Sequence, residues 1–104
     1  MEEFVRKGIL FSLYGGLLNE NQRQVYEYHI IEDMSFTEIG ELVGISRQAA
    51  QDLFRRADRK LQQSENTLRL QQKFTRLRSL AERIQSESGE ARIRALAGEM
   101  IDGI

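Results

Sequence analysis

Ser35-Phe36-Thr37-Glu38-Ile39-Gly40-Glu41-Leu42-Val43-Gly44-Ile45-Ser46-Arg47-Gln48-Ala49-Ala50 is the stretch whose reading decides the fold. Ser35 with Glu38 three positions on is a capping-box pattern, in which each side chain bonds the other's backbone amide and opens a helix. The pattern predicts a helix of about two turns. Gly44 falls where that helix must end in a left-handed turn, a conformation that glycine enters without steric cost. Ser46 is placed to cap a second helix running through Leu61. Ile39, Val43, Ile45, Ala50 and Leu53 supply an apolar wedge shared by the two helices, and Gly40 supplies a small residue at their crossing. A glycine inside a helix is about 1 kcal/mol less favourable than alanine, so its use there implies a packing reason. These offsets together predict a helix-turn-helix.

Upstream, Asn19 with Gln22 forms another capping-box pattern. It predicts a helix beginning at Asn19, whose stretch Gln22 to Ile31 places Val25, Tyr28 and Ile31 at core spacing with Tyr26 and Ile30 flanking, and which Glu32-Asp33-Met34 ends. Before it, Glu3 to Tyr14 reads as an amphipathic helix with an acidic start that suits the helix dipole. Gly15-Gly16 is expected to stop that helix and supply a flexible turn. Downstream, Ser64 reads as the cap of a long helix from Glu65 to about Glu87. Its Leu70, Phe74, Leu77, Ala81 and Ile84 step alternately by four and three, which is a heptad seam expected to pack on the domain or on a second copy. Ser86, Ser88 and Gly89 interrupt it, and Ala91–Ile101 follows as a shorter helix. The expectation is therefore an all-α chain. Residues 1–62 form a helix-turn-helix domain with an N-terminal helix, and residues 63–104 form a C-terminal helical extension that packs on the domain or mediates dimerisation.

Composition bounds what such a chain does. Its 104 residues suffice for one compact domain, and 40% hydrophobic with 30% charged residues suits a soluble globular protein. Without proline, helices run uninterrupted. Without cysteine, disulfides, thiolate catalysis and zinc-finger chemistry are excluded. The acidic Met1-Glu2-Glu3-Phe4 does not read as a secretory signal, and no apolar run approaches the roughly 20 residues of a membrane span. A cytoplasmic protein is expected.

Catalysis finds no support. His29 is the one histidine, and it has no constellation around it; a lone helical histidine is more often packed or surface-exposed than a general base. Glu32 and Asp33 are adjacent and do not face each other on a helix. No phosphate-binding glycine loop is present. The chain reads as a non-enzyme with no catalytic residue, cofactor or metal site.

The net charge of −1 argues against an evenly basic surface, but the charge is unevenly distributed. Residues 1–34 hold three cations against six acids, whereas residues 35–62 hold five against four, every cation at or after Arg47. Local charge is what steers a charged partner. In a helix-turn-helix the second helix enters the major groove with its N-terminal residues at base edges. That makes Ser46, Arg47, Gln48 and Gln51 the candidates for base contact, with Arg47 suited to guanine and Gln48 or Gln51 to adenine. Arg55, Arg56, Arg59 and Lys60 suit phosphates, as does Thr37 at the start of the preceding helix. Asp52 is unfavourable near phosphate and reads as a salt-bridge partner. Paired half-sites suggest a homodimer.

These residues carry two resemblances. Residues 17–62 resemble region 4 of sigma-70-type factors, on Gly44-Ile45-Ser46-Arg47 and Arg56-Ala57-Asp58-Arg59-Lys60-Leu61. Over roughly residues 4–85 the chain is more similar to the YlxM-like family of helix-turn-helix proteins. That likeness rests on Leu13-Tyr14-Gly15-Gly16-Leu17-Leu18, Gln22-Arg23, Glu32-Asp33-Met34-Ser35, Ser46-Arg47-Gln48-Ala49 and Arg56-Ala57-Asp58. Gln51 stands where such relatives often carry a tyrosine. The resemblance implies a sigma-70 region 4-like core and a regulatory role in the signal recognition particle pathway. That role acts either at DNA or directly on the particle's RNA or GTPase.

Overall fold

A computed structural model describes residues 2–103, and every element among them is helical. The order is α1 (Glu3–Tyr14), a 3-10 turn (Gly15–Leu17), α2 (Glu20–Ile30), α3 (Phe36–Val43), α4 (Arg47–Leu68), α5 (Leu70–Glu87) and α6 (Ala91–Asp102). The chain divides into two compact units, residues 1–68 and 69–104.

Both expected capping boxes form. The Asn19 side chain accepts the Gln22 amide at 2.8 Å and Gln22 accepts the Asn19 amide at 3.2 Å. Ser35 and Glu38 do the same at 3.1 and 2.9 Å. The Ser35 amide, followed by its hydroxyl, holds the Glu38 carboxyl below the usual carboxylate range. Gly44 ends α3 in the left-handed region, at φ 77° and ψ 34°. The amides of Gly44 and Ile45 both donate to the Gly40 carbonyl, at 2.9 and 3.0 Å. A Cβ on Gly40 would lie 2.6 Å from the Ile45 carbonyl oxygen. The crossing of α3 on the following turn therefore admits no side chain at that position.

The wedge packs as its spacing implied. Val25, Ile39 and Ala50 are fully enclosed, with Val43, Ile45, Leu53 and Phe54 against them. On α2, however, the buried residues are Val25, Tyr26 and Ile30, while Tyr28 is half-buried and Ile31 is 55% exposed. The core stripe expected through Tyr28 and Ile31 is thus rotated toward Tyr26 and Ile30. The reason is an aromatic stack: Tyr26 lies 5.0 Å from Phe54 at 9° and 5.5 Å from Phe11 at 21°. His29 continues it, 4.2 Å from Phe36 and edge-on to Phe54 at 4.7 Å. Its Nδ1 lies 2.8 Å from the Met34 carbonyl, which fixes that nitrogen as the donor. The histidine is a packing residue joining α2 to α3 and α4.

The helix stop expected at Gly15-Gly16 forms: α1 ends at Tyr14 and the 3-10 turn Gly15–Leu17 follows. Gly15 is right-handed at φ −56° and buried, and a Cβ there would meet the Phe11 ring at 3.2 Å. Three other expectations are corrected. Ser64 caps nothing: its hydroxyl donates to the Lys60 carbonyl inside α4, which runs on past Leu61 to Leu68. The break falls instead at Arg69, left-handed at φ 54°, and the two units meet there rather than after residue 62. The helix continues because Leu61 and Glu65 are buried on its inner face and no residue between them breaks it. Of the heptad seam, Ala81 is buried and Leu70 and Phe74 are half-buried, but Leu77 and Ile84 are more than 40% exposed.

A polar seam fastens α1 to α4. Lys7 Nζ reaches Asp58 at 2.7 Å, Arg6 donates to Gln62 at 3.2 Å, and the Tyr14 hydroxyl donates to the buried Glu65 carboxylate at 2.7 Å. The Tyr26 hydroxyl also donates to Asp58, at 3.2 Å. Burial first, and the Asp58 charge second, push that hydroxyl far above the ordinary phenol range.

Gly40→Ala is expected to destabilise residues 1–68 by about 3 kcal/mol in urea unfolding, because backbone rather than a flexible side chain must move. For Tyr26 the raised native value means a stabilising contribution present below the ordinary 10.0 and lost as pH rises above it. Tyr26→Phe should cost about 1 kcal/mol at neutral pH. It should also flatten the decline of stability at alkaline pH, measured by thermal unfolding across that range.

Candidate nucleic-acid interface

The bend at Gly44 delivers the chain to Ser46, whose hydroxyl accepts the Ala49 amide at 3.0 Å and starts α4. Ser46, Arg47 and Gln48 are all exposed at that tip. From there the outward face of α4 follows from the helical period: Gln48, Asp52, Arg55 and Arg59 recur at spacings of four, three and four, opposite the buried Ala50, Ala57 and Leu61. All four are exposed. Arg47, Gln48, Arg55 and Arg59 therefore extend from the tip along one side of a rigid helix.

The remaining sequence candidates are placed less uniformly. Gln51 is half-buried and sits toward the edge of this face rather than at its centre. Arg56 is exposed, but its Nε lies 3.0 Å from the Asp52 carboxylate one turn earlier, so its charge is partly committed. Asp52 is thus the ion-pair partner that the sequence suggested. Lys60 is exposed on the flank beyond Arg56. Thr37 is exposed in the first turn of α3, next to the Ser35 cap.

The charge of residues 1–68 is segregated by element. Glu20, Arg23, Glu27 and Glu32 line an open polar groove on α2 with Gln24 and Tyr28. Of the cations outside α4, Lys7 is taken up by Asp58 and Glu3, and Arg6 by Gln62. Available positive charge is concentrated on the outer surface of α4. Among the described residues, no group of three or more His, Cys, Asp or Glu is placed to hold a metal ion. No helix among them is long and apolar enough to cross a membrane.

Sequence reasoning missed the support beneath this surface. Asp58, Gln62 and Glu65 lie on the α1-facing side of α4, and their contacts anchor the helix behind the tip. The available signal was their spacing of four and three, polar residues running beside the apolar Ala57 and Leu61.

A short helix, a left-handed bend and a second helix with an exposed N-terminal tip define a helix-turn-helix protein. Residues 1–97 match the family model described as "Putative helix-turn-helix protein, YlxM / p13 like", and the chain belongs to that family. It is similar over its whole length, and over 95% of the relative's, to a UPF0122 protein of Shouchella clausii at 33% identity. It is 36% identical to one of Symbiobacterium thermophilum, over 93% of this chain and 94% of that one. With one of Clostridium botulinum the identity is 43%, over 73% and 70% respectively.

The cap at Ser46 is testable apart from any ligand. Ser46→Ala should lower stability by about 1 kcal/mol, whereas Arg56→Ala, which breaks only an exposed i,i+4 pair, should stay within about 0.5 kcal/mol of the parent in denaturant titration.

Proposed function

We propose that this protein is a DNA-binding regulator that uses a sigma-70 region 4-like helix-turn-helix and acts as a homodimer. It is not an enzyme. Its biological setting is the signal recognition particle pathway that the family resemblance implies. The observation that carries the reading is the exposed Ser46-Arg47-Gln48 tip continued by Arg55 and Arg59 on one rigid face. The tip is the part of such a fold that meets base edges, and the arginines behind it lie where phosphates run. Arg47 takes the guanine-reading role and Gln48 the adenine-reading one, with Gln51 secondary because it is half-buried. Arg56 contributes less than Arg55 or Arg59, since Asp52 already holds it. Thr37 reaches the flanking phosphate from α3. The protein works in the cytoplasm, where its target genes lie.

A second reading draws support from charge. Residues 1–68 hold eight cations against eleven acids, and Asp52 lies in the middle of the proposed contact face. A surface of that kind also suits a protein or ribonucleoprotein partner, here the RNA or GTPase of the signal recognition particle, reached through the same tip.

A salt titration by fluorescence anisotropy separates the two. Against duplex DNA, log affinity should fall linearly with log salt. Arg55→Ala and Arg59→Ala should each reduce the slope by about 1, and Arg56→Ala by less. Arg47→Ala should weaken binding and relax base preference by about 1–3 kcal/mol. Undetectable DNA binding at low salt, beside binding to the particle's RNA or salt-insensitive binding to its GTPase, would establish the second reading and end the first.

A further inference from the structure

Residues 69–103 form an α5–α6 hairpin with almost no interior. Among these described residues the enclosed positions are two alanines, Ala81 at 0% and Ala97 at 1% exposure. Arg78 Nη2 donates to the Ile101 carbonyl at 3.2 Å across the pair. Around each alanine the same pattern recurs, with large apolar residues four and one positions before it and three after. These are Leu77, Leu80 and Ile84 on α5, and Ile93, Leu96 and Met100 on α6. All six are 38–51% exposed.

The shared offsets place both triplets on the same rotational flank of their helices. Two antiparallel helices in contact are related by an approximate two-fold normal to their common plane, and that operation carries one flank onto the other on the same side. The hairpin therefore presents one continuous apolar face. Monomeric proteins seldom leave such a face uncovered.

We propose that this face is covered by the same face of a second copy, giving an antiparallel arrangement of four helices. The assignment deepens the homodimeric part of the function proposed above and rests on it. Charge order supports the choice of occupant. The chain enters α5 with Arg69, Lys73, Arg76 and Arg78 and leaves it with Glu82 and Glu87, the latter paired with Arg83 at 3.5 Å. Helix α6 runs from Arg92 and Arg94 to Glu99 and Asp102. Cations first and acids last oppose each helix's own dipole, so the order does nothing for an isolated helix. Between antiparallel neighbours it sets cations beside acids. A face-to-face two-fold partner meets the hairpin through antiparallel helices only, whichever helix lies over which, and the interface is self-complementary as a two-fold requires. The six side chains offer on the order of 500 Å² per copy, which with a polar rim reaches the size of a specific interface.

Sedimentation equilibrium of the full chain tests this. The wild type should sediment at twice its 12.1 kDa mass at micromolar concentration. Leu80→Glu and Leu96→Glu, both at exposed positions, should each weaken self-association by about 100-fold or more. In the wild type itself, amide exchange across residues 77–100 should slow as protein concentration rises, while that of residues 1–68 should not change. A monomeric wild type would overturn the proposal together with the homodimeric reading. A wild-type dimer that survives both substitutions, or concentration-dependent protection confined to residues 1–68, would overturn the proposal and leave the homodimer standing on another surface. DNA binding is scored separately, so its absence from an intact dimer touches only the function proposed above.

Discussion

The passage of α3 against its own following turn at Gly40 is the constraint on which the functional surface depends. The Gly40 carbonyl gathers the amides of Gly44 and Ile45, and its Cα faces the Ile45 carbonyl with no room for a side chain. Those bonds turn the chain sharply enough for Ile45 to fold under α3 while Ser46 emerges at the surface. The left-handed Gly44 and the side-chain cap of Ser46 complete the corner. Bend, cap and tip are thus parts of one backbone arrangement, and a change at Gly40 displaces the tip without touching it.

Holding the corner in place falls to two kinds of contact with opposite tolerances. The stack of Phe11, Tyr26, Phe54, His29 and Phe36 joins all four helices of residues 1–68 through ring faces and edges, which are strong in aggregate and permit small shifts. The α1–α4 seam is less forgiving. Asp58 receives both Lys7 and Tyr26, and Glu65 is buried with Tyr14 donating to it, so removal of one partner leaves a desolvated polar group behind. The seam fixes which face of α4 turns inward, and by elimination fixes Gln48, Arg55 and Arg59 outward. The interface is set as much from behind as from its own residues.

The parts of this design that were legible in the sequence are those written in local chemistry. Asn19 with Gln22, Ser35 with Glu38, Gly44 and Ser46 each act on backbone within a few positions, and each forms as its spacing implies. Gly40 was legible because a glycine inside a helix requires a tertiary reason. What was hidden depends on partners distant in sequence. Tyr26 is drawn inward over Tyr28 by rings on α1 and α4, and Gln62-Gln63-Ser64 stays helical because Leu61 and Glu65 are buried against elements far upstream. The break at Arg69 carried no signal, since arginine has no preference for a left-handed backbone. The downstream apolar spacing was visible in the sequence only as a heptad. A heptad through Leu70, Phe74, Leu77, Ala81 and Ile84 competes with triplets centred on Ala81 and Ala97, and the burial of both alanines beside exposed Leu77 and Ile84 favours the triplets.

A chain of net charge −1 is not disqualified from meeting a polyanion, because the decisive quantity is the field where the partner lies. At physiological ionic strength the Debye length is about 8 Å, shorter than a helix is wide, so acids lying more than a helix width from a partner docked on α4 are largely screened from it. Glu20, Glu27 and Glu32 line a groove of their own along α2, and Lys7 and Asp58 neutralise each other beneath the surface. On the outward face of α4 Asp52 intrudes among the cations, and its pairing with Arg56 converts a repulsive charge into a dipole. What that pairing gives up is one cation free to meet a phosphate. If this face meets a polyanion, a contact weakened in this way holds a single copy loosely, and the second copy proposed for the α5–α6 hairpin is a physical complement to it, since two modest contacts joined in one assembly bind far more tightly than either alone.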